Sequence, residues 1–419
     1  MMRSPFTTGL LTGAAIGAVA KRWWTSRARS GALGSLRMGL TGGEDQVGLA
    51  LAQATSASLV GGNRVAWHHD AAIFGALEEA FRAAEHSIHV GLYIWKPGGV
   101  GARLADLACR RAREGIAVRI LVDPVGSSGF EDELAAPLLA AGCEVRYFRP
   151  PKRRPFSLTG RNHRKTVIVD GKVGFTGGFG IAQEWSTGKD GPPWRDANAE
   201  VEGPVVRQMQ ASFAAHWLET GGALLPRAEL ERAHPAGDAR AAYVTSTDVV
   251  GLSHARWVTH IALMAARRRA WIANAYFVPP PEVFGALLLL PRHGVDLRLL
   301  LPGPHLDHPI VRFLQRRYYG RLQRGGANVW EYQASMMHAK TMLVDDRLVI
   351  VGSINLDFLS MQWLEEGCLV VDDPRFAAEL EARWHADLAG SRQVVAAAPL
   401  ATAPARRRRE AALASAHAG

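Results

Sequence analysis

One pattern, His-x-Lys-x₄-Asp, stands twice in this chain and constrains it to a fold made of two like halves. The first copy is His163, Lys165 and Asp170, followed after six residues by Gly177-Gly178. The second is His338, Lys340 and Asp345, followed after six residues by Gly352-Ser353, with Asn355 next but one. A lone His-x-Lys carries no weight among 15 histidines. Two copies that keep one spacing to an aspartate, and then to a pair of small residues, do.

Each motif predicts a strand. Residues 166–170 and 341–345 are apolar or β-branched and end in turns at Asp170-Gly171 and Asp345-Asp346. A second apolar run follows each, at 173–176 and 348–351. Side chains two apart on a strand share a face, so His163 goes with Lys165 and His338 with Lys340. Each motif therefore presents one imidazole and one fixed positive charge together.

That set suits a phosphodiester, which gathers negative charge on its non-bridging oxygens as it is attacked. Lys165, Lys340 and the Asn355 amide supply donors where that charge develops, with Ser353 and Gly178 expected beside them as phosphate-binding positions. One imidazole attacks phosphorus while the other protonates the departing alcohol and later deprotonates the incoming one. No metal and no cofactor enters this scheme. An attacking imidazole needs a partner on its other nitrogen, and Asp196 and Glu366, each about thirty residues after its own motif's histidine, are expected to orient the rings. Asp170 and Asp345 belong to the catalytic motif, but their place at the turn predicts that they brace the loop rather than touch substrate.

The repetition extends beyond the motifs. Strand, helix and strand at 87–93, 101–114 and 117–122 are echoed at 270–276, 281–290 and 295–301. Third strands at 143–148 and 327–332 then lead toward each histidine. Alternating strands and helices specify the α/β class. The expectation is two fused α/β repeats packed as a pseudo-twofold bilobal unit with one active site between them. Tyr93 and Tyr276 are read as matching positions, either at its edge or in the core. Pro226, Pro235 and Gly237 mark the break between halves. The expected division is 1–60 as an apolar segment plus flexible linker, 61–222 as the first repeat, 223–242 as linker, 243–392 as the second repeat and 393–419 as a basic, disordered tail.

On these residues the chain resembles the phospholipase D superfamily, whose signature is a duplicated H-x-K-x₄-D-x₆-G-[GS] with Asn nearby, and within it the bacterial cardiolipin synthases. Supporting stretches are Phe175-Thr176-Gly177-Gly178, Trp194-Arg195-Asp196, Glu202-Gly203-Pro204, Tyr276-Phe277-Val278-Pro279 and Gly352-Ser353-Ile354-Asn355-Leu356-Asp357. The resemblance covers roughly 64–390. It implies two phospholipase D-like repeats, a phosphatidyltransferase acting on phosphatidylglycerol or a similar phospholipid, and His163 as the nucleophile with His338 as acid and then base. Two departures stand out. Gly180 replaces the usual first-repeat Asn, and Leu359 and Leu364 stand where relatives often carry Arg and Asn. The motifs alone leave open a hydrolase, either a phospholipase D or a nuclease, and a scaffold that only binds anionic lipid.

Charge and termini bear on partners. The net charge of +10 favours a polyanionic surface, read here as an anionic membrane rather than nucleic acid, with Lys152-Arg153-Arg154, Arg316-Arg317 and Arg406 to Arg409 among the contributors. Three scattered cysteines indicate reduced thiols. Residues 5–20 are apolar but short of the roughly 20 needed to span a bilayer. They are read as a short anchor, a cleaved signal or a leader without structure. The positive charge after them favours the cytoplasmic face of an inner membrane. His305 and His308 have the spacing of a metal pair, but Asp307 and His308 are read instead as capping the helix that follows or lining the substrate mouth, and Trp67-His68-His69-Asp70 as a surface turn. No pattern specifies an oligomeric state.

Overall fold

A computed structural model describes residues 46–151, 160–189, 191–247 and 253–395. The first half contributes β1 (Val60–His69), β2 (Ser87–Leu92), β3 (Ala117–Val122), β4 (Glu144–Tyr147), β5 (Arg161–Asn162), β6 (Thr166–Val169), β7 (Val173–Gly177) and β8 (Ala197–Glu202). The second contributes β9 (Ala239–Ser246), β10 (Arg269–Asn274), β11 (Phe277–Val278), β12 (Asp296–Pro302), β13 (Asn328–Tyr332) and β14 (Lys340–Val344). It continues with β15 (Leu348–Gly352), β16 (Leu356–Asp357), β17 (Leu364–Asp372) and β18 (Ser391–Gln393).

The strand order displays the duplication. Outward from a central β9–β1 pair, β17-β15-β14-β10-β12-β13 on one side mirrors β8-β7-β6-β2-β3-β4 on the other, with β18 added at one end. In each half the outer strands are parallel, β2 with β3 and β4, β10 with β12 and β13. The motif strands are antiparallel, β6 to β2 and β7, β14 to β10 and β15. Parallel neighbours need crossover helices. Gly99–Arg113 supplies one, burying Val100, Leu104, Leu107 and Ala108 on a single face while Arg110, Arg111 and Arg113 occupy its last turn. Pro281–Leu289 and Pro309–Arg324 do the same work in the second half.

Buried apolar side chains form a large cluster on the outer face of each half and another between them. The central cluster joins Ile168, Val201 and Phe213 of the first half to Leu343, Val349 and Trp384 of the second. Each such side chain stabilises by about 1.5–3 kcal/mol on burial. That sum outweighs the several kcal/mol per ion that charges at the seam cost when desolvated. The halves therefore meet face to face over an apolar core, while β1 and β9 also join them edge to edge.

Three readings change. The expected flexible linker contains a helix, Gln46–Thr55, whose Leu51 is fully buried in the second half's core. Trp67, His68 and His69 are not a surface turn but the end of β1, held between neighbours. Trp67 stacks on Phe376 and His68 pairs with Glu200 at 2.7 Å, so partners elsewhere in the chain hold these two side chains. Tyr93 and Tyr276 are not register mates. The pairings Trp95↔Ile181 and Phe277↔Leu356 make Ile94 the counterpart of Tyr276. No helix among the described residues is long and apolar enough to cross a membrane. Residues 5–20, Lys152 to Arg154 and Arg406 to Arg409 lie outside the described residues.

Candidate active site

Each motif histidine sits just before a motif strand and is fixed by backbone pairing with the other half. The His163 amide donates to the Glu365 carbonyl at 2.8 Å, where β5 runs parallel to the start of β17. The His338 amide donates to the Arg195 carbonyl at 2.7 Å, beside a parallel bridge between Arg195 and Met337. The two junctions are the same construction with the halves exchanged.

That construction decides which carboxylate meets which ring. Asp196 and Glu366 both contact imidazoles, but each lies against the histidine of the opposite half. His163 Nδ1 lies 2.9 and 3.0 Å from the Glu366 oxygens, and His338 Nδ1 lies 2.9 Å from Asp196 Oδ2. With Nδ1–H donating to a carboxylate, Nε2 of each ring keeps its lone pair. Both carboxylates are fully buried and further bonded. Glu366 accepts from the Ser353 and Ser360 hydroxyls, and Asp196 from the Trp185 indole N–H at 2.7 Å and the Ala197 amide at 2.8 Å.

The lysines follow their motifs inward. Lys165 Nζ donates to the His163 carbonyl at 2.7 Å and lies 5.6 Å from the Tyr93 ring centre. Lys340 Nζ donates to the His338 carbonyl at 2.7 Å and stands 2.9 Å from Nε2 of the same ring. Burial drives the imidazole pKa values of both His163 and His338 down to about 4, helped by the neighbouring lysines and opposed by Glu366 and Asp196. Burial also lowers Lys165 to about 7 and Lys340 to about 8. The charge of Lys340 reaches His163 and that of Lys165 reaches His338, so the two half-sites share one electrostatic field.

The remaining predicted residues separate. Asn355 is buried, and its Oδ1 has no hydrogen-bond partner among the described residues. Gly178 and Ser353 do not offer phosphate donors. Their amides bond to the Ala197 and Gly367 carbonyls, and both residues lie beneath the orienting carboxylates. A Cβ on Gly178 would stand 2.2 Å from Asp196 Oδ1, whereas Ser353 uses its hydroxyl on Glu366. Asp170 and Asp345 are seven residues beyond their histidines along extended chain, roughly 20 Å at strand rise. Both adopt left-handed backbone, with φ of 56° and 49°. Their carboxylates accept from the amides of residues 85–87 and 267–269, tying the turn to the start of β2 and β10. They are braces and lie away from the imidazoles.

Trp185, Arg164 and Ser360 carried no sequence signal of their own, whereas Trp194, Arg195 and Tyr276 stand in stretches the sequence singled out. Trp185 and Trp194 stand 5.0 and 5.1 Å from the His338 ring centre, and Tyr276, bonded to Asp307 at 2.8 Å, stands 6.4 Å from it. Arg164 reaches Glu365 at 2.8 Å across the seam, and Arg195 reaches Asp387 at 2.8 Å. Ser360, seven residues after Ser353, was discoverable only once Glu366 was known to need two donors. His305 and His308 belong to the loop before Pro309–Arg324, with His308 5.9 Å from Tyr276.

Residues 77–217 and 260–388, together more than half the chain, match the family model described as cardiolipin synthase, PLD-like domain. A Pseudomonas fluorescens protein named cardiolipin synthase A is 34% identical over 327 residues, covering 77% of this chain and 68% of that one. A Bacillus anthracis protein named cardiolipin synthase 1 is 33% identical over 306 residues, covering 69% and 59%. The chain thus spans about three fifths to two thirds of the length of these relatives. Among solved structures, phosphatidylserine synthase from Haemophilus influenzae aligns with a TM-score of 0.65 over 83% of this chain and 92% of that one. At 14% identity that likeness speaks for the fold.

Proposed function

The chain belongs to the family of cardiolipin synthases with phospholipase D-like domains, and from that premise we propose that it transfers a phosphatidyl group between phosphatidylglycerol molecules. The observation that carries the reading is the pair of crossed imidazole–carboxylate contacts, which leave two Nε2 atoms available within one field.

His163 is assigned as the nucleophile. It has one aromatic ring beside it, Tyr93 at 5.1 Å, and its side chain keeps 12% exposure against 6% for His338. His338 is enclosed by Trp185, Trp194 and Tyr276, which suits a ring that passes protons without accepting a phosphorus substituent. In the first step His163 Nε2 bonds to phosphorus and the bond to the glycerol oxygen breaks. A proton from His338 reaches that oxygen and glycerol departs. In the second step His338 removes a proton from a hydroxyl of another phosphatidylglycerol, whose oxygen displaces His163. The products are cardiolipin and free glycerol. Positioned proton transfer of this kind is worth about 10²–10⁴ in rate.

The first step requires a proton on His338 Nε2, beside which the Lys340 ammonium stands at 2.9 Å, with Nδ1 at 3.0 Å. An anionic phosphate raises the pKa of imidazole and ammonium alike, so His338 takes its proton from solvent while Lys340 keeps its own and turns to the phosphate oxygens. Asn355 and Lys165 are assigned to the same oxygens. The site works at an anionic membrane surface on the cytoplasmic face, as the charge distribution of the sequence suggests.

Purified protein incubated with headgroup-labelled phosphatidylglycerol is expected to release glycerol and form cardiolipin. Phosphatidic acid in place of cardiolipin would identify water as the acceptor and make the protein a hydrolase. Release of neither product would overturn the assignment.

A further inference from the structure

The catalytic groups are buried, so a bilayer lipid can reach them only if the mouth itself comes against the membrane. Helix Pro309–Arg324 stands at that mouth. The residue before it, His308, lies 5.9 Å from Tyr276, and Tyr276 is the ring that edges His338. The body of the helix packs inward through Gln315, Tyr319 and Leu322, with Tyr318 against Phe277 and Phe284. Its first turn does the opposite. Ile310 is 48% exposed and Phe313 60%, an unfavourable position for side chains of that size in water. Leu359, 43% exposed, follows β16, which pairs with β11 in front of the same helix.

The charge along the helix is one-sided. Arg312, Arg316, Arg317, Arg321 and Arg324 are its only charged residues. Arg312 and Arg316 are engaged with Glu331, whereas Arg317, Arg321 and Arg324 form no ion pair among the described residues. Arg317 instead covers the exposed Phe313 ring at 5.7 Å, and Arg321 covers the Phe284 ring at 4.7 Å. An apolar first turn at the mouth, backed by unpaired guanidinium groups one and more turns behind, matches the layering of an anionic bilayer, with acyl chains inside and phosphates outside.

We propose that the exposed face of Pro309–Arg324, with Leu359 beside it, is the surface by which this protein docks on an anionic phospholipid bilayer, Ile310 and Phe313 entering the acyl boundary and Arg317, Arg321 and Arg324 meeting lipid phosphates. The function read from the imidazole pair supplies the reason for such a surface, but the docking can be measured without any turnover.

The three native cysteines are buried, so a Phe313→Cys variant of the full chain can carry a polarity-sensitive fluorophore at one known place. On phosphatidylglycerol vesicles the label is expected to shift to shorter wavelength and to be quenched by acyl-chain nitroxides. Arg317→Glu with Arg321→Glu in the same labelled chain is expected to weaken that response at least tenfold in lipid concentration. A label that stays in water on vesicles which the protein binds would overturn the proposal. So would an equal response on uncharged phosphatidylcholine vesicles. Activity gives an independent arm. Ile310→Glu with Phe313→Glu is expected to cut turnover of vesicular phosphatidylglycerol at least tenfold and to leave turnover of a short-chain, monomeric phosphatidylglycerol within twofold. Equal loss on both substrates would show a folding or site defect and count against the docking surface. Bilayer insertion of the label without turnover of either lipid would uphold the surface and overturn the assigned reaction instead.

Discussion

The two half-sites share one backbone plan and are walled by different chemistry. His163 is braced by Glu366, whose oxygens accept two serine hydroxyls, and one aromatic edge lies beside it. His338 is braced by Asp196, which sits on the bare Cα of Gly178, takes an indole N–H and lies within a cage of Trp185, Trp194 and Tyr276. Burial nonetheless brings both rings to about the same pKa. On the proposed reading the duplicated frame sets position and basicity, and the walls assign the task. A ring with one aromatic neighbour suits a phosphoryl group, and a caged ring suits proton exchange.

The sharpest test of that division is removal of each ring. His163→Ala is expected to lower transfer by roughly 10⁴–10⁶-fold, as loss of a nucleophile does in a concerted group. His338→Ala should cost about 10²–10⁴ on phosphatidylglycerol, yet very little on a p-nitrophenyl phosphodiester whose leaving group needs no proton. Mass spectrometry of the quenched His338→Ala protein should then find phosphorus on His163. Phosphorus on His338 in a His163→Ala chain would exchange the roles and sink the comparison.

The crossed braces come next in size. Glu366→Gln and Asp196→Asn each keep shape but favour the wrong tautomer, so a loss of about 10³ is expected from each. The informative readout is nitrogen NMR of labelled histidine. Glu366→Gln should perturb the ring of His163 and Asp196→Asn that of His338, although each pair lies in different repeats. Perturbation within the same repeat would deny the crossing.

That crossing was the part the sequence withheld. The motif residues were legible because attack on phosphorus tolerates few side chains, and the strands around them because β-branched runs end at Asp170 and Asp345. Which carboxylate serves which ring depends on β5 pairing with β17 and Arg195 with Met337, contacts across the whole chain that no local pattern encodes. The same reason hid the strand at Trp67 to His69. Polar residues there resemble a turn until Glu200 and Phe376 are brought to them. Helix Gln46–Thr55 reads as linker because its only support is the second half's core.

The lysines differ by about one unit, and pH separates them from the histidines. Below pH 4 the nucleophile is protonated, and above about 7 and then 8 the free site loses the charges of Lys165 and Lys340. The ratio kcat/KM should thus fall about tenfold per pH unit between about 7 and 8 and up to about a hundredfold per unit above about 8, with kcat falling at higher pH because bound phosphate raises both lysines. Stability should move the other way. A lysine whose folded pKa lies below its unfolded value binds fewer protons when folded, so its contribution to stability rises with pH from about 7 toward 10.5. Activity and stability diverging above pH 7 is the expected signature, and their parallel decline would contradict the buried lysines.

The smallest effect probes why one half lacks the amide the other has. Gly180 is the register counterpart of Asn355, and the space beyond its Cα is already taken. A Cβ there would lie 3.0 Å from Ile94 Cβ and 3.1 Å from the Trp185 ring. Trp185 is the residue that donates to Asp196 and edges His338, so an asparagine at 180 competes with the cage itself. Overpacking of this kind costs about 1–3 kcal/mol. Gly180→Asn is therefore expected to lower the melting temperature by a few degrees and transfer severalfold, with His338 chemistry affected before His163 chemistry. Ile94→Ala, which removes the Cγ2 at 3.2 Å but keeps the Cβ, should recover only a small part of the lost stability. If Gly180→Asn instead raised activity at unchanged melting temperature, the aromatic wall would be incidental and the two half-sites would differ only in an amide.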